Sequence, residues 1–247
     1  MQPNPLYVVG AAAVRDMIRR APWMQLISHP ASGPVASPSP VLLAPDDEGG
    51  DAETIVLETH LGRADARQHG LVGARGAEPV QGATMLVIVA GEHGYISPSW
   101  YLGDDRGQVP TWNFEQANLS CDVEVLDDRA NMETLQRLVA HFEQAYAPDD
   151  GVRLDIDDDG NQGMAMGTVG LRLTVRSCTA KEKMSQNKSH ATRASVLARL
   201  DASHPRLAER MRVTGSREQA PAGQVEIGQA PSGWAAAGAD DTPGAEG

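Results

Sequence analysis

The chain has 247 residues, 41% of them hydrophobic and only ten aromatic, with a formal charge of -12 at pH 7. That length can bury one sizeable core. The acidity argues against a generic nucleic-acid or anionic-membrane binder, because a negative field repels polyanions before any specific contact forms.

The opening residues MQPNPLYVVG have neither the basic lead nor the apolar run of a signal peptide. No stretch approaches the roughly 20 apolar residues that span a bilayer, so a cytoplasmic location is expected. Residues 11–20 (AAAVRDMIRR) predict a short helix, closed at Ala21 by Pro22, and residues 23–28 a strand. Residues 34–44 are apolar but carry Pro34, Pro38 and Pro40, which restricts them to an edge strand or extended segment. The acidic, glycine-rich residues 45–52 predict a loop. Residues 54–60 (TIVLETH) predict a strand, and 84–90 (TMLVIVA) the strongest strand, a β-branched run suited to mid-sheet. Two more are expected over 111–117 and 120–126, the second alternating with period two.

Residues 131–146 predict an amphipathic helix with Asn131 as N-cap and Leu135, Leu138, Val139 and Phe142 on one face. The stretch DIDDDGNQG (155–163) has the acidic spacing of a calcium loop, but Met166 stands where the bidentate Glu belongs, so it reads as a solvated loop. Residues 168–178 predict a last long strand with Leu171, Leu173 and Val175 facing one way. Two basic helices follow over 191–202 and 205–213, within a domain spanning 1–213, and residues 214–247 predict a disordered tail rich in Ala, Gly and Pro. Strands in succession with helices at the edges favour an antiparallel barrel or α+β domain, mainly β with flanking helices. Neither GxGxxG after a strand nor a P-loop is present, so a nucleotide cofactor would be held some other way. Cys121 and Cys178 build no disulfide framework and fit no zinc spacing; both read as buried small apolar residues.

Three clusters carry candidate chemistry. Five of the ten aromatic residues (Tyr95, Trp100, Tyr101, Trp112 and Phe114) fall between Gly94 and Phe114, mixed with Ser97 and Ser99. They form either a local core plug or a platform for a flat ligand. In KEKMSQN (181–187), Lys181 and Lys183 project from one face of an extended segment, with Gln186 and Asn187 able to pair with ring edges, or simply end a solvated strand. His60 and Arg63, in THLGR, can grip an anion or be ordinary surface residues.

GEHGYISPSWY (91–101), VPTWNF (109–114), TVGLRLTV (168–175) and KEKMSQN, in this order, resemble the PaiB-type family of FMN-binding negative transcriptional regulators. The resemblance runs from about Pro22 to Met211. It implies the FMN-binding split β-barrel, a homodimer, and flavin near the subunit interface. The cofactor-binding residues it implies are His60, Arg63, Tyr95, Ser97, Ser99, Trp100, Thr111, Trp112, Asn113, Lys183, Gln186 and Asn187. Two segments depart from the family pattern. Ser37-Pro38-Ser39-Pro40 replaces a Thr-His-x-Pro segment, and HLGRADARQ (60–68) keeps His60 but lacks the family's Asn, Pro and Trp.

Similar proteins on the same scaffold include the haem-binding piperazate synthases, which form a nitrogen-nitrogen bond in N-hydroxyornithine. A haem b ligated by His60 is therefore the alternative to FMN. The function classes left open are a flavin-binding regulator, a flavin- or haem-dependent enzyme whose chemistry is borne by the cofactor, and a cofactor-free scaffold. Contact with DNA would fall to Arg193, Arg199, Arg206 and Arg210, in a segment (181–217) with nine Lys or Arg against three Asp or Glu.

Overall fold

Alternation of buried and exposed side chains along six strands closes them into an antiparallel barrel of order β1-β2-β3-β6-β5-β4. The strands are β1 (Trp23–Ser28), β2 (Val35–Leu43), β3 (Val56–Gly62), β4 (Thr84–Ile96), β5 (Thr111–Val125) and β6 (Thr168–Lys183). In this computed structural model the described residues are 6–47, 54–73 and 79–216. The expectations of a loop beyond Asp47 and of a disordered tail beyond Ser216 lie outside them. The mainly β fold with flanking helices is the split β-barrel that the resemblance implies.

Inward positions such as Leu26, Val41, Leu57, Val87, Leu119, Leu171 and Leu173 are fully buried, and α1 (Ala11–Arg20) adds Val14, Met17 and Ile18 to the same core. Pro38 and Pro40 sit in β2 without breaking it. Val41 N–H points to the β1 side, where it meets Pro22 O at 2.8 Å, so the even positions lack donors on the opposite side. There β2 has no partner until Val41 pairs with Thr59 of β3. Cys121 is buried in the core and Cys178 half-buried against it; burial pushes their thiols up to about 12 and about 11.

Several elements differ from expectation. β4 runs six residues past Ala90, so GEHGYI is strand and not a loop. Residues 111–125 form one strand that joins the two expected halves without a break, and the register with β6 shifts at Ser120/Cys121, where Arg176 of β6 is the extra residue. The acidic loop of 155–163 gives way to α4 (Asp159–Ala165). Helix α3 spans Asp128–Tyr146 and is capped by Asp127, whose carboxylate accepts from Ala130 N. Asn131, the expected cap, is instead buried against β6: its amide donates to Thr168 Oγ1 at 3.0 Å, and any Cβ on Gly170 would lie 2.8 Å from its Oδ1. Buried Glu58 of β3 pairs with Arg137 of α3 and with Arg172 of β6, which fastens α3 to the barrel's outer wall. Beyond α2 (Arg63–Gln68), His69 is buried between Ser28 Oγ (2.7 Å) and Ser37 Oγ (3.0 Å). The two segments that depart from the family pattern touch directly, Ser39 Oγ donating to His60 O at 2.6 Å. No described helix is long and apolar enough to cross a membrane.

Past Ala90, β4, β5 and β6 extend beyond the closed barrel. One face of this extension is covered by α5 (His190–Ser203) and α6 (Pro205–Ser216) around a second core that includes Ile96, Tyr101, Met184, Leu200, Leu207 and Met211. Between the two cores lies a buried charge cluster. Glu115 and Glu182 stand directly opposite each other on β5 and β6. Arg210 of α6 reaches both, at 3.0 and 3.2 Å, and Arg20 of α1 holds Glu115 at 2.6 Å. Burial pushes the Glu115 carboxyl up, but the Arg20 hydrogen bonds, the Glu92 N–H and the two guanidinium charges outweigh it and hold the pKa below the usual range.

A carboxyl with a depressed folded pKa is more often protonated in the unfolded chain. Its stabilisation is therefore present above the unfolded value of about 4.3 and is lost as pH falls through the folded value. Glu115→Gln should destabilise the protein by about 3 kcal/mol at pH 7 and flatten the fall in stability below about pH 4.5, both measured by urea unfolding across pH. An unchanged acid limb would show that Glu115 does not carry it.

Candidate functional site

On the extension, alternation sends neighbouring residues to opposite faces. Trp112, Phe114, Tyr95 and Lys183 share the face away from α5 and α6, through the registers Tyr95↔Trp112, His93↔Phe114 and Phe114↔Lys183. Trp112 is 53% exposed and Tyr95 48%, set edge to face with ring centroids 6.3 Å apart. Lys183 Nζ donates to Thr111 Oγ1, and among the described residues it has no carboxylate within ion-pair reach. Burial, then the charge of Lys188, lowers the Lys183 pKa. A cation that is desolvated, repelled by a second cation and lacking a counter-ion suits an anion.

Around this platform, Ser97 caps the 3-10 turn Pro98–Trp100 by accepting from Ser99 N at 3.2 Å, and the two hydroxyls lie 2.7 Å apart. Trp100 packs half-buried against the second core, so it supports the turn and is not an open ring. Tyr101, absent from the expected site set, is 2% exposed, lies under Lys188 Nζ at 4.7 Å, and its hydroxyl has no partner among the described residues. Burial, then Asp105 and Tyr95, raise its pKa.

The remaining expected residues do not converge on the platform. Asn113 points to the covered face: it is fully buried, accepts from Ser185 Oγ at 3.0 Å and donates to Met211 Sδ. Gln186 folds back on its own turn, accepting from Met184 N and donating to Glu182 O. Ser185, at φ +59°, makes that turn. Asn187 is exposed. Arg63 grips the carbonyls of Met166 (3.0 Å) and Thr168 (3.3 Å), closing the α4–β6 turn. His60 faces Gly170 on β6, thirteen residues before Lys183, roughly 40 Å along the strand. Its Nδ1 is buried without a partner among the described residues, and burial lowers its pKa, which favours the neutral imidazole.

Fold and site together define a split-barrel protein with an aromatic and cationic sheet face. The chain belongs to the family described as "Putative FMN-binding domain", whose model matches residues 2–177. It is 29% identical over 117 residues to the Protease synthase and sporulation protein PAI 2 of Bacillus subtilis, covering 47% of this chain and 54% of that one. The match thus spans about half the length of the Bacillus protein. It is 24% identical over 178 residues to the Uncharacterized protein AN0679 of Emericella nidulans, covering 64% of this chain and 71% of that one. Among solved structures it is similar to the FAD and Heme binding protein of Mycobacterium smegmatis, with TM-score 0.51 and 17% identity over 72% of this chain and 73% of that one.

The opposed faces of Trp112 and Asn113 can be separated by experiment. Asn113→Ala should cost about 1–3 kcal/mol by leaving buried partners unsatisfied, whereas Trp112→Ala should change stability by under about 1 kcal/mol. Thermal and urea unfolding of the two variants check the contrast, and equal losses would contradict the assignment of faces.

Proposed function

We propose that this protein binds FMN on the exposed face of β4, β5 and β6, in a site completed by a second copy of the chain. The observation that carries this reading is the half-exposed Trp112–Tyr95 pair beside Lys183, a partly buried cation without a carboxylate partner among the described residues. A flat anionic ligand complements both, since its ring covers the aromatic surface and its phosphate offsets the lysine charge. When bound, flavin supplies electron transfer; the residues of the chain hold and orient it and keep water from its ring. His60 and Arg63 stand at the far end of β6, so one chain does not gather them with Lys183. A homodimer docked through the exposed face, where Val109 and Trp112 lie open to solvent, supplies the missing half. A cytoplasmic location accords with this reading.

The negative-regulator role rests on the family resemblance. Direct DNA contact has little to work with. Of the four candidate arginines, Arg210 is spent on Glu115 and Glu182, Arg193 on the carbonyls of Met184 and Met211, and Arg206 on Glu92. We expect weak DNA binding at physiological salt. A second reading, haem, is favoured by one feature: burial shifts His60 toward the neutral imidazole, the form that ligates iron, and its Nδ1 has no partner among the described residues.

The absorption spectrum of the purified protein separates the two. Flavin bands, with affinity for added FMN falling roughly 10- to 100-fold in Lys183→Ala, would support the first reading. A Soret band lost in His60→Ala would support the second, and a colourless protein that takes up neither cofactor would sink both.

A further inference from the structure

We propose that His93 is a ligand-contacting residue of the platform, offering a free imidazole Nε2 as hydrogen-bond acceptor to an N–H on the edge of the bound ring. This rests on the flavin reading above and assigns its specificity. His93 comes from a bulge. The β4–β5 register runs in step to Ala90↔Gln116 and resumes at His93↔Phe114, which leaves one extra residue in β4. Such a bulge re-aims the side chain that follows it.

The bulge is fixed from beneath. Glu92 N donates to buried Glu115 Oε1 at 3.1 Å, and a Cβ on Gly91 would lie 2.4 Å from the Glu115 side chain, so only glycine passes there. The freed Gly91 carbonyl then meets His93 Nδ1 at 3.2 Å. A carbonyl can only accept, so that contact requires the proton on Nδ1 and leaves the Nε2 lone pair free. The imidazole is exposed, 6.1 Å from the Trp112 ring at a 33° tilt, and Phe114 separates it from Lys183. Acceptor and cation therefore stand two strand spacings apart, roughly 10 Å, on opposite sides of the rings. This arrangement selects a fused-ring anion with an N–H at the end remote from its charge. Oxidised FMN carries one ring N–H, on its imide.

The test is a fluorescence titration of full-length protein with FMN and with FMN methylated at the imide nitrogen. Wild type should prefer FMN about tenfold, one hydrogen bond's worth. His93→Phe, which keeps a ring, should bind both alike at the weaker level, and His93→Gln, which restores an acceptor oxygen, should recover part of the preference. Unchanged thermal midpoints would show that these exposed substitutions leave the fold intact. Equal binding of FMN by wild type and His93→Phe overturns the inference while leaving the flavin site standing; failure of wild type to take up FMN removes both. Imidazole 15N NMR of the apoprotein gives an independent check: the Nδ1–H tautomer is expected, and an Nε2–H tautomer would overturn the assignment.

Discussion

Glu115 and Glu182 are buried opposite each other on β5 and β6, a pairing that alone would push the strands apart. The extension exists because Arg210 lies between the two carboxylates and Arg20 takes the far side of Glu115. One guanidinium comes from α6 and the other from α1, so the extension of the strands is tied to both helices. Buried ion pairs add little net stability once desolvation is counted, but losing one partner strands a charge. The cluster thus dictates where the helices sit more than how tightly the chain folds, and the same Glu115 oxygen that accepts from Arg20 also accepts from Glu92 N at the bulge.

Once α5 and α6 are committed to one face, the other is left open, with Tyr95 and Trp112 exposed on it. Asn113, Glu115 and Glu182 look inward, while Trp112, Phe114 and Lys183 look out, though the two sets alternate in sequence. A one-residue slip in β5 would bury Trp112 under α6 and present a carboxylate to the site. Gly94 guards against movement on the other side, since any Cβ there would lie 2.7 Å from Leu207.

Much of this was legible in the sequence where the signal was periodic. The first helix, the strand order by type and the alternation of Lys181 and Lys183 follow from spacing alone. The motifs around Tyr95 and Trp112 fall on one exposed sheet face, where the two rings meet edge to face. What spacing does not carry is the pairing partner: β4 was expected to end at Ala90 with its apolar run, whereas it continues through Gly91 and Gly94, each of which yields to a side chain arriving from elsewhere. Grouping His60, Arg63, Asn113 and Gln186 with the platform failed within one chain for a related reason. Polar residues near a motif read alike whether they face a ligand, a buried serine or a carbonyl. His93 was passed over because its role depends on a bulge, which leaves no trace in a pattern of apolar residues.

The charge balance has the same origin. The excess of Lys and Arg after residue 181 suggested an exposed basic patch in an acidic protein. Folding consumes most of it, with Arg193, Arg210 and Arg212 each facing carbonyls or carboxylates of this chain. Lys183, beside Thr111, has no carboxylate partner among the described residues, and Lys188, itself 4.0 Å from Asp105, lowers its pKa. A long polyanion approaching the molecule meets the summed field of a chain at -12 and is repelled. A small anion already inside the Debye length of about 8 Å responds to Lys183 more than to the acids farther away. The same charge distribution that disfavours nucleic acid therefore still permits a single phosphate at the edge of the ring platform.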